Sequence, residues 1–222
     1  MFKNLSLKIT DPAIFATIEW EFARENDGME LIASENYTSP AVQEALGSIF
    51  VNKYAEGFPG KRYYGGQEFT DEMETIAIER AKKIFHADHA NVQALSGAAA
   101  NVCIYNALLE PGDTILGMDL SHGGHLTHGS PVTLMSKVYN FVRYKTSAAN
   151  NNFMDYDNLR EMALEHKPKL IIAGSSAHPR ELDYEKFVAI GKEVGAIMMA
   201  DVSHFGGLIA AGVMKNPLDF WF

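Results

Sequence analysis

The chain has only one cysteine, Cys103, in 222 residues, which excludes an internal disulfide framework and fits a reducing compartment. No apolar run approaches the ~20 residues that a membrane-spanning helix needs, and the N-terminus lacks the apolar core of a secretion signal. Basic residues are scarce: 19 Lys and Arg against 28 Asp and Glu give a formal charge of −9. That balance argues against nucleic acid and anionic membrane as partners, since both reward a Lys/Arg excess. Internal repeats, low-complexity tracts and linker-like composition shifts are also missing. These absences lead to the expectation of a soluble, cytoplasmic globular protein, long enough to bury a sizeable core.

What is present is an alternation of apolar runs with amphipathic stretches. Strands are expected near residues 90–93, 114–118, 138–144, 169–173 and 196–200. Helices are expected over 11–26, with Asp11 as cap and Pro12 first, and again after Ser39 and Pro40. Further helices are expected over 70–85 behind Thr70, 96–110 behind Ser96 and Gly97, 156–166 behind Asp155, and 184–194 closed by Gly195. The alternation implies an α/β fold, a mainly parallel sheet with helices on both faces.

In such sheets, ligand chemistry gathers where the strands end. The run AIMMAD ends at Asp201, with His204 three residues on. A carboxylate there needs a cationic or proton-donating partner, and the pyridinium nitrogen of pyridoxal phosphate is one such partner. An aspartate that merely caps the next turn is the alternative. The helix opened by Ser96, Gly97 and Ala98 presents bare N–H groups to an anion, although Ser-Gly is also ordinary capping. Ser175 and Ser176 stand at another strand end, on the same sheet edge as Asp201. His122, His125 and His128 suggest a metal, but Gly123 and Gly124 leave no rigid face and no further ligands complete a set of four. A flat imidazole stacked on an aromatic cofactor is the preferred reading, and no metal is expected. Residues 52–67, NKYAEGFPGKRYYGGQ, read as a long ordered loop without helix or strand, functional or simply a sticky surface. Ser34, Glu35 and Asn36 crowd one polar turn, where capping is the plain explanation.

LIASENYTSP, NKYAEGFPGKRYYGG, the NVQALSG run, LLEPGDTILGMDLSHGGHLTHGSP and ADVSHFGGLIAAGV, in this order, closely resemble the serine hydroxymethyltransferase family. The resemblance implies the large domain of an aspartate aminotransferase-like, fold type I enzyme that uses pyridoxal 5'-phosphate. Residues 1–50 would form a helical N-terminal arm and 51–222 part of the cofactor-binding domain. It further implies interconversion of serine and glycine, with tetrahydrofolate as one-carbon co-substrate. By resemblance, Asp201 pairs the pyridine nitrogen, His125 stacks on the ring, and His204 and Ser176 lie near the ring hydroxyl. Ser96, Gly97 and Ala98 match the phosphate cradle, and Ser34 the serine that meets the substrate carboxylate. Glu56 matches the proton-handling carboxylate, flanked by Tyr54 and Tyr64. Tyr54 and Glu56 would serve the neighbouring subunit, so a homodimer or higher oligomer is implied.

The chain also departs from the family pattern. Ala98 and Ala100 replace a usual serine and glutamine, removing one hydroxyl from the phosphate cradle, a loss of about 1.5–3 kcal/mol for a hydrogen bond to a charged group. Residues 145–154 carry asparagines in place of a glycine-containing turn. The family continues past Asn216 and Pro217 into a threonine-rich strand and the lysine that binds the cofactor covalently, and no lysine here matches it. Two expectations follow: a truncated hydroxymethyltransferase, or a catalytically inactive fragment acting at most as a weak cofactor-binding or dimerising module. Phe220, Trp221 and Phe222 are expected as exposed apolar groups facing a missing surface.

Overall fold

The computed structural model describes residues 6–32 and 34–220, which divide after Tyr37 into two compact units. In the first, α1 (Pro12–Asp27) begins as the sequence predicts: Asp11 accepts the Ile14 N–H, and Pro12 sits where a missing N–H costs nothing. Its apolar Ile14, Ile18 and Phe22 are exposed.

The second unit opens with α2 (Pro40–Leu46), where Ser39 accepts the Val42 N–H. The loop expected over 52–67 contains a small antiparallel hairpin, β1 (Gly57–Phe58) against β2 (Lys61–Arg62). Gly57 makes this closure possible: its φ is +100°, and a Cβ there would stand 2.2 Å from the Lys61 carbonyl oxygen. Helix α3 (Glu68–Phe85) starts before Thr70, which is therefore not the cap but a buried residue of the first turn. Glu68 and Asp71 favour the earlier start by placing negative charge at the helix N-terminus. The strand expected at 90–93 does not form. The Asn91 side chain accepts the Gln93 N–H, a local bond that diverts the backbone from a ladder.

Four parallel strands make the central sheet: β3 (Thr114–Met118), β4 (Asn140–Tyr144), β5 (Leu170–Gly174) and β6 (Ile197–Asp201), in the order β4-β3-β5-β6. Helices α4 (Gly97–Leu108), α5 (Tyr156–His166) and α6 (Tyr184–Val194) connect and cover them. Ser96, Asp155 and Asp183 each cap a helix through the side chain, and Gly195 ends α6 at φ +70°. Alternate strand residues serve opposite faces. Leu116, Met118, Ile171 and Ala173 pack with Leu159, Phe187 and Ile190 of α5 and α6. Ile115, Leu170, Ile172 and Met199 pack with Tyr105 of α4 and with Tyr139. Burial on both faces explains why the strands read as continuous apolar runs, each large side chain contributing about 1.5–3 kcal/mol. The mainly parallel sheet with helices on both faces is thus present.

Phe220, expected to be exposed, is half-buried with its ring 6.2 Å from that of Tyr184; Trp221 and Phe222 lie outside the described residues. No described helix is long and apolar enough to cross a membrane.

Candidate active site

Parallel register pairs Gly174 with Asp201 and Met118 with Tyr144, so the residues after Gly174, Met118 and Asp201 share one edge of the sheet. Asp201 ends β6 with its side chain only 10% exposed. Its Oδ1 accepts the Ser203 N–H at 3.2 Å and the Ser203 hydroxyl at 2.6 Å. Its Oδ2 accepts Asn101 Nδ2 at 2.9 Å and His128 Nε2 at 2.8 Å. Burial pushes the Asp201 pKa up, but the bonds from His128, Ser203 and Asn101 outweigh it and hold the carboxyl well below the usual carboxylate range. Asp201 therefore caps the following turn through one oxygen and anchors a buried polar network through the other.

That network runs through residues the sequence reading did not assign to the site. The His125 N–H donates to His128 Nδ1 at 3.1 Å, so the proton of the His128 ring sits on Nε2, facing Asp201. Asn101 Nδ2 also donates to Thr127 Oγ1 at 2.8 Å, and the Thr127 hydroxyl lies 2.8 Å from His125 Nδ1. His125, Thr127, Asn101, Asp201 and His128 thus form a closed hydrogen-bonded circuit. Burial lowers the His125 pKa, and the neighbouring His128 ring adds to this, keeping the imidazole neutral and able to lie against an apolar or aromatic surface. The turn carrying His128 reaches the sheet because Gly117 has no side chain: a Cβ there would stand 2.6 Å from the His128 carbonyl oxygen. Asn101 lies one helical turn beyond Gly97 on α4, a spacing that could have flagged it. Nothing local to His128 separated it from its neighbours.

Ser176 and His204 complete the same edge. The Ser176 N–H donates to the Gly123 carbonyl at 2.7 Å, fixing its place after β5. Ser176 Oγ and His204 Nδ1 are both buried and have no hydrogen-bond partner among the described residues. Such orphaned atoms cost about 1–3 kcal/mol each unless something else satisfies them. Ser96 Oγ accepts the Ala99 N–H and Ser96 O the Ala100 N–H, which leaves the N–H groups of Gly97 and Ala98 ahead of the helical ladder at an exposed helix start. A Cβ on Gly97 would stand 2.8 Å from Ser203 Oγ, so the start of α4 touches the turn after Asp201. His122 is engaged elsewhere, 2.8 Å from Thr146 Oγ1.

Three further predicted residues belong to the loop that carries β1 and β2. Tyr54 and Tyr64 are 76% and 49% exposed, with ring centroids 6.3 Å apart, and Glu56 between them is exposed. No hydrogen bond joins any of them to Asp201 or to the residues around it. Ser34 belongs to the first unit, where it is exposed in a turn.

The donors and acceptors on the sheet edge fit pyridoxal phosphate. An ionised carboxylate suits the ring nitrogen, the orphaned Ser176 Oγ and His204 Nδ1 suit a ring substituent, and the start of α4 suits a phosphate. The fit carries one condition. All four lone-pair positions of Asp201 are occupied, so a ring N–H requires one partner to withdraw, and exposed Ser203 is the cheapest. The family model described as serine hydroxymethyltransferase matches residues 7–221. The chain therefore belongs to the serine hydroxymethyltransferase family, pyridoxal phosphate-dependent transferases of serine, glycine and tetrahydrofolate.

Proposed function

We propose that the chain binds pyridoxal phosphate at the carboxyl ends of β5 and β6 and takes part in interconverting serine and glycine, with tetrahydrofolate as the one-carbon acceptor. The observation that carries this reading is the pair of orphaned buried atoms, Ser176 Oγ and His204 Nδ1, beside an ionised, buried Asp201. When bound, the cofactor supplies an electron sink for the bonds around the amino-acid α-carbon. Asp201 holds a proton on the ring nitrogen, His125 lies on the ring face, and Ser176 and His204 hold the ring hydroxyl. The N–H groups of Gly97 and Ala98, with Ser96, hold the phosphate. Ser34 meets the substrate carboxylate. Glu56, with Tyr54 and Tyr64, moves a proton at the serine hydroxyl from a neighbouring copy of the chain; their exposure on a single copy supports this. The test is an absorbance titration of the purified protein with pyridoxal phosphate. Saturable binding that Asp201→Asn weakens at least about tenfold, or 1.4 kcal/mol, is expected. Equal binding by that variant removes Asp201 from the site.

A further inference from the structure

Arg62 is an enclosed cation with a full set of partners away from the sheet edge, its side chain only 4% exposed. Two carboxylates of α3 hold it from behind: Nε donates to Asp71 Oδ1 at 2.8 Å and Nη2 to Glu74 Oε2 at 2.6 Å. The remaining nitrogen faces the loop. Nη1 donates to the Ala55 carbonyl at 2.7 Å and to the Gly57 carbonyl at 2.9 Å, the residues on either side of Glu56. Gln93 Nε2 adds a second donor to the Gly57 carbonyl at 2.9 Å while also bonding Glu74 Oε1 at 2.7 Å, and Gln67 Nε2 donates to the Tyr54 carbonyl at 2.7 Å. The Glu56 carbonyl accepts the Tyr63 N–H at 3.1 Å. Every carbonyl from Tyr54 to Gly57 is therefore held, while the side chains of Tyr54 and Glu56 project into solvent.

We infer that Arg62 is a positioning residue for Glu56: gripping the carbonyls of the residues on both sides, it fixes the direction in which an otherwise unattached carboxylate is presented. The guanidinium suits this task because it is a planar, permanently charged fork. A lysine has one nitrogen and cannot hold two carboxylates and two carbonyls together. The inference rests on the reading of Glu56 as the proton-handling carboxylate, and the two can fail separately.

The test uses the full chain, isotopically labelled, with Arg62→Lys and, as a milder second variant, Asp71→Asn. Carbonyl 13C resonances of Ala55 and Gly57 and residual dipolar couplings at Glu56 report the grip, and exchange of the Tyr63 amide reports the closure of the hairpin. Arg62→Lys is expected to shift both carbonyl resonances, to average the Glu56 couplings toward zero and to speed Tyr63 exchange about tenfold, with residues 114–118 and 170–174 unchanged. Asp71→Asn is expected to do the same in part, and decides the matter if the lysine variant does not fold. Faster Tyr63 exchange with unchanged Glu56 couplings would mean that Arg62 only ties the loop to α3, and the inference is then wrong. Wherever serine cleavage is measured, Arg62→Lys should lower kcat with KM kept, and Arg62→Lys/Glu56→Gln should lose no more than Glu56→Gln alone. Additive losses overturn the coupling. A Glu56→Gln variant that cleaves serine normally removes Glu56 from the chemistry and leaves the grip to be judged on the resonances.

Discussion

The sheet edge and the loop around Glu56 hold their polar groups in opposite ways. At the sheet edge the side chains themselves are fixed: Asp201, His128, Asn101 and Thr127 are buried or nearly so and bonded to one another. In the loop the backbone is fixed, by Arg62, Gln67 and Gln93, and the side chains of Tyr54 and Glu56 are left outside. The first arrangement suits a ligand that must meet groups of set position and charge. The second suits groups that complete a site belonging to another molecule. A buried side chain cannot be removed without leaving its partners unpaired, whereas an exposed one can. Variants of the two regions should therefore differ far more in stability than in their distance from the chemistry.

The largest effect is expected from Asp201→Ala. Asn101 Nδ2 and His128 Nε2 would lose the acceptor they point at, and breaking a buried pair from one side costs about 3–5 kcal/mol. Urea unfolding at neutral pH measures this loss. The pH dependence has a definite sign. The Asp201 pKa is lower folded than unfolded, so its contribution is complete above the unfolded value of about 4 and fades as pH falls from there through the folded value. The wild-type and variant curves should stay apart at neutral pH and converge only in strong acid. A gap independent of pH would show that the charge of Asp201 stabilises nothing.

Much of this framework is legible in the sequence, and the limits are physical. The strand ends are visible because a buried parallel strand is a continuous apolar run and Asp201 terminates one. Helix caps at Asp11, Ser39, Ser96, Asp155 and Gly195 are visible because capping chemistry is local. The partners of Asp201 are not: Asn101 lies 100 residues away and His128 lies 73 away, and only the sheet order brings them together. Arg62 is similar, one of three basic residues in a glycine-rich loop until α3 folds behind it. The expectation of a strand at 90–93 failed because a short apolar run yields to a side chain that captures the backbone, as Asn91 does.

A second, smaller effect separates stability from binding within the sheet edge. Ser176→Ala removes a buried hydroxyl that has no partner among the described residues, and should raise stability by about 1 kcal/mol. The same change should weaken pyridoxal phosphate binding, because that hydroxyl is free for the ligand. Paired urea and absorbance titrations check both signs. A variant that loses stability would mean that the hydroxyl is already satisfied and is not waiting for a ligand.

Ser203→Ala should act more weakly and in the opposite sense on binding. Its hydroxyl occupies a lone pair of Asp201 Oδ1 at 2.6 Å, and an incoming ring N–H competes for the carboxylate. Removing an exposed competitor should tighten cofactor binding by about 1 kcal/mol or less, a few-fold in Kd. Weaker binding by the alanine variant would show that Ser203 assists the ligand instead of competing with it.

The smallest change in stability is expected at Glu56, where the loop and the sheet edge separate most cleanly. Its side chain is exposed, and its peptide neighbours are held through their own carbonyls by Arg62 and Gln93. Glu56→Gln keeps the size and the backbone and removes only the ability to take a proton, so unfolding should change by less than about 0.5 kcal/mol. Cofactor binding should be untouched, since no hydrogen bond links Glu56 to Asp201, Ser176 or His204. Serine cleavage with tetrahydrofolate, assayed in a chain completed with the cofactor-binding lysine, should fall by about 10²- to 10⁴-fold, the usual worth of a positioned acid or base. Mixing Glu56→Gln with Asp201→Asn chains gives the decisive comparison. If the two regions serve different copies, each mixed dimer carries one site with both defects and one with neither, and a fraction of the activity returns. If activity stays lost across all mixing ratios, the two regions act on the same copy, and the exposure of Glu56 on a single chain has another cause.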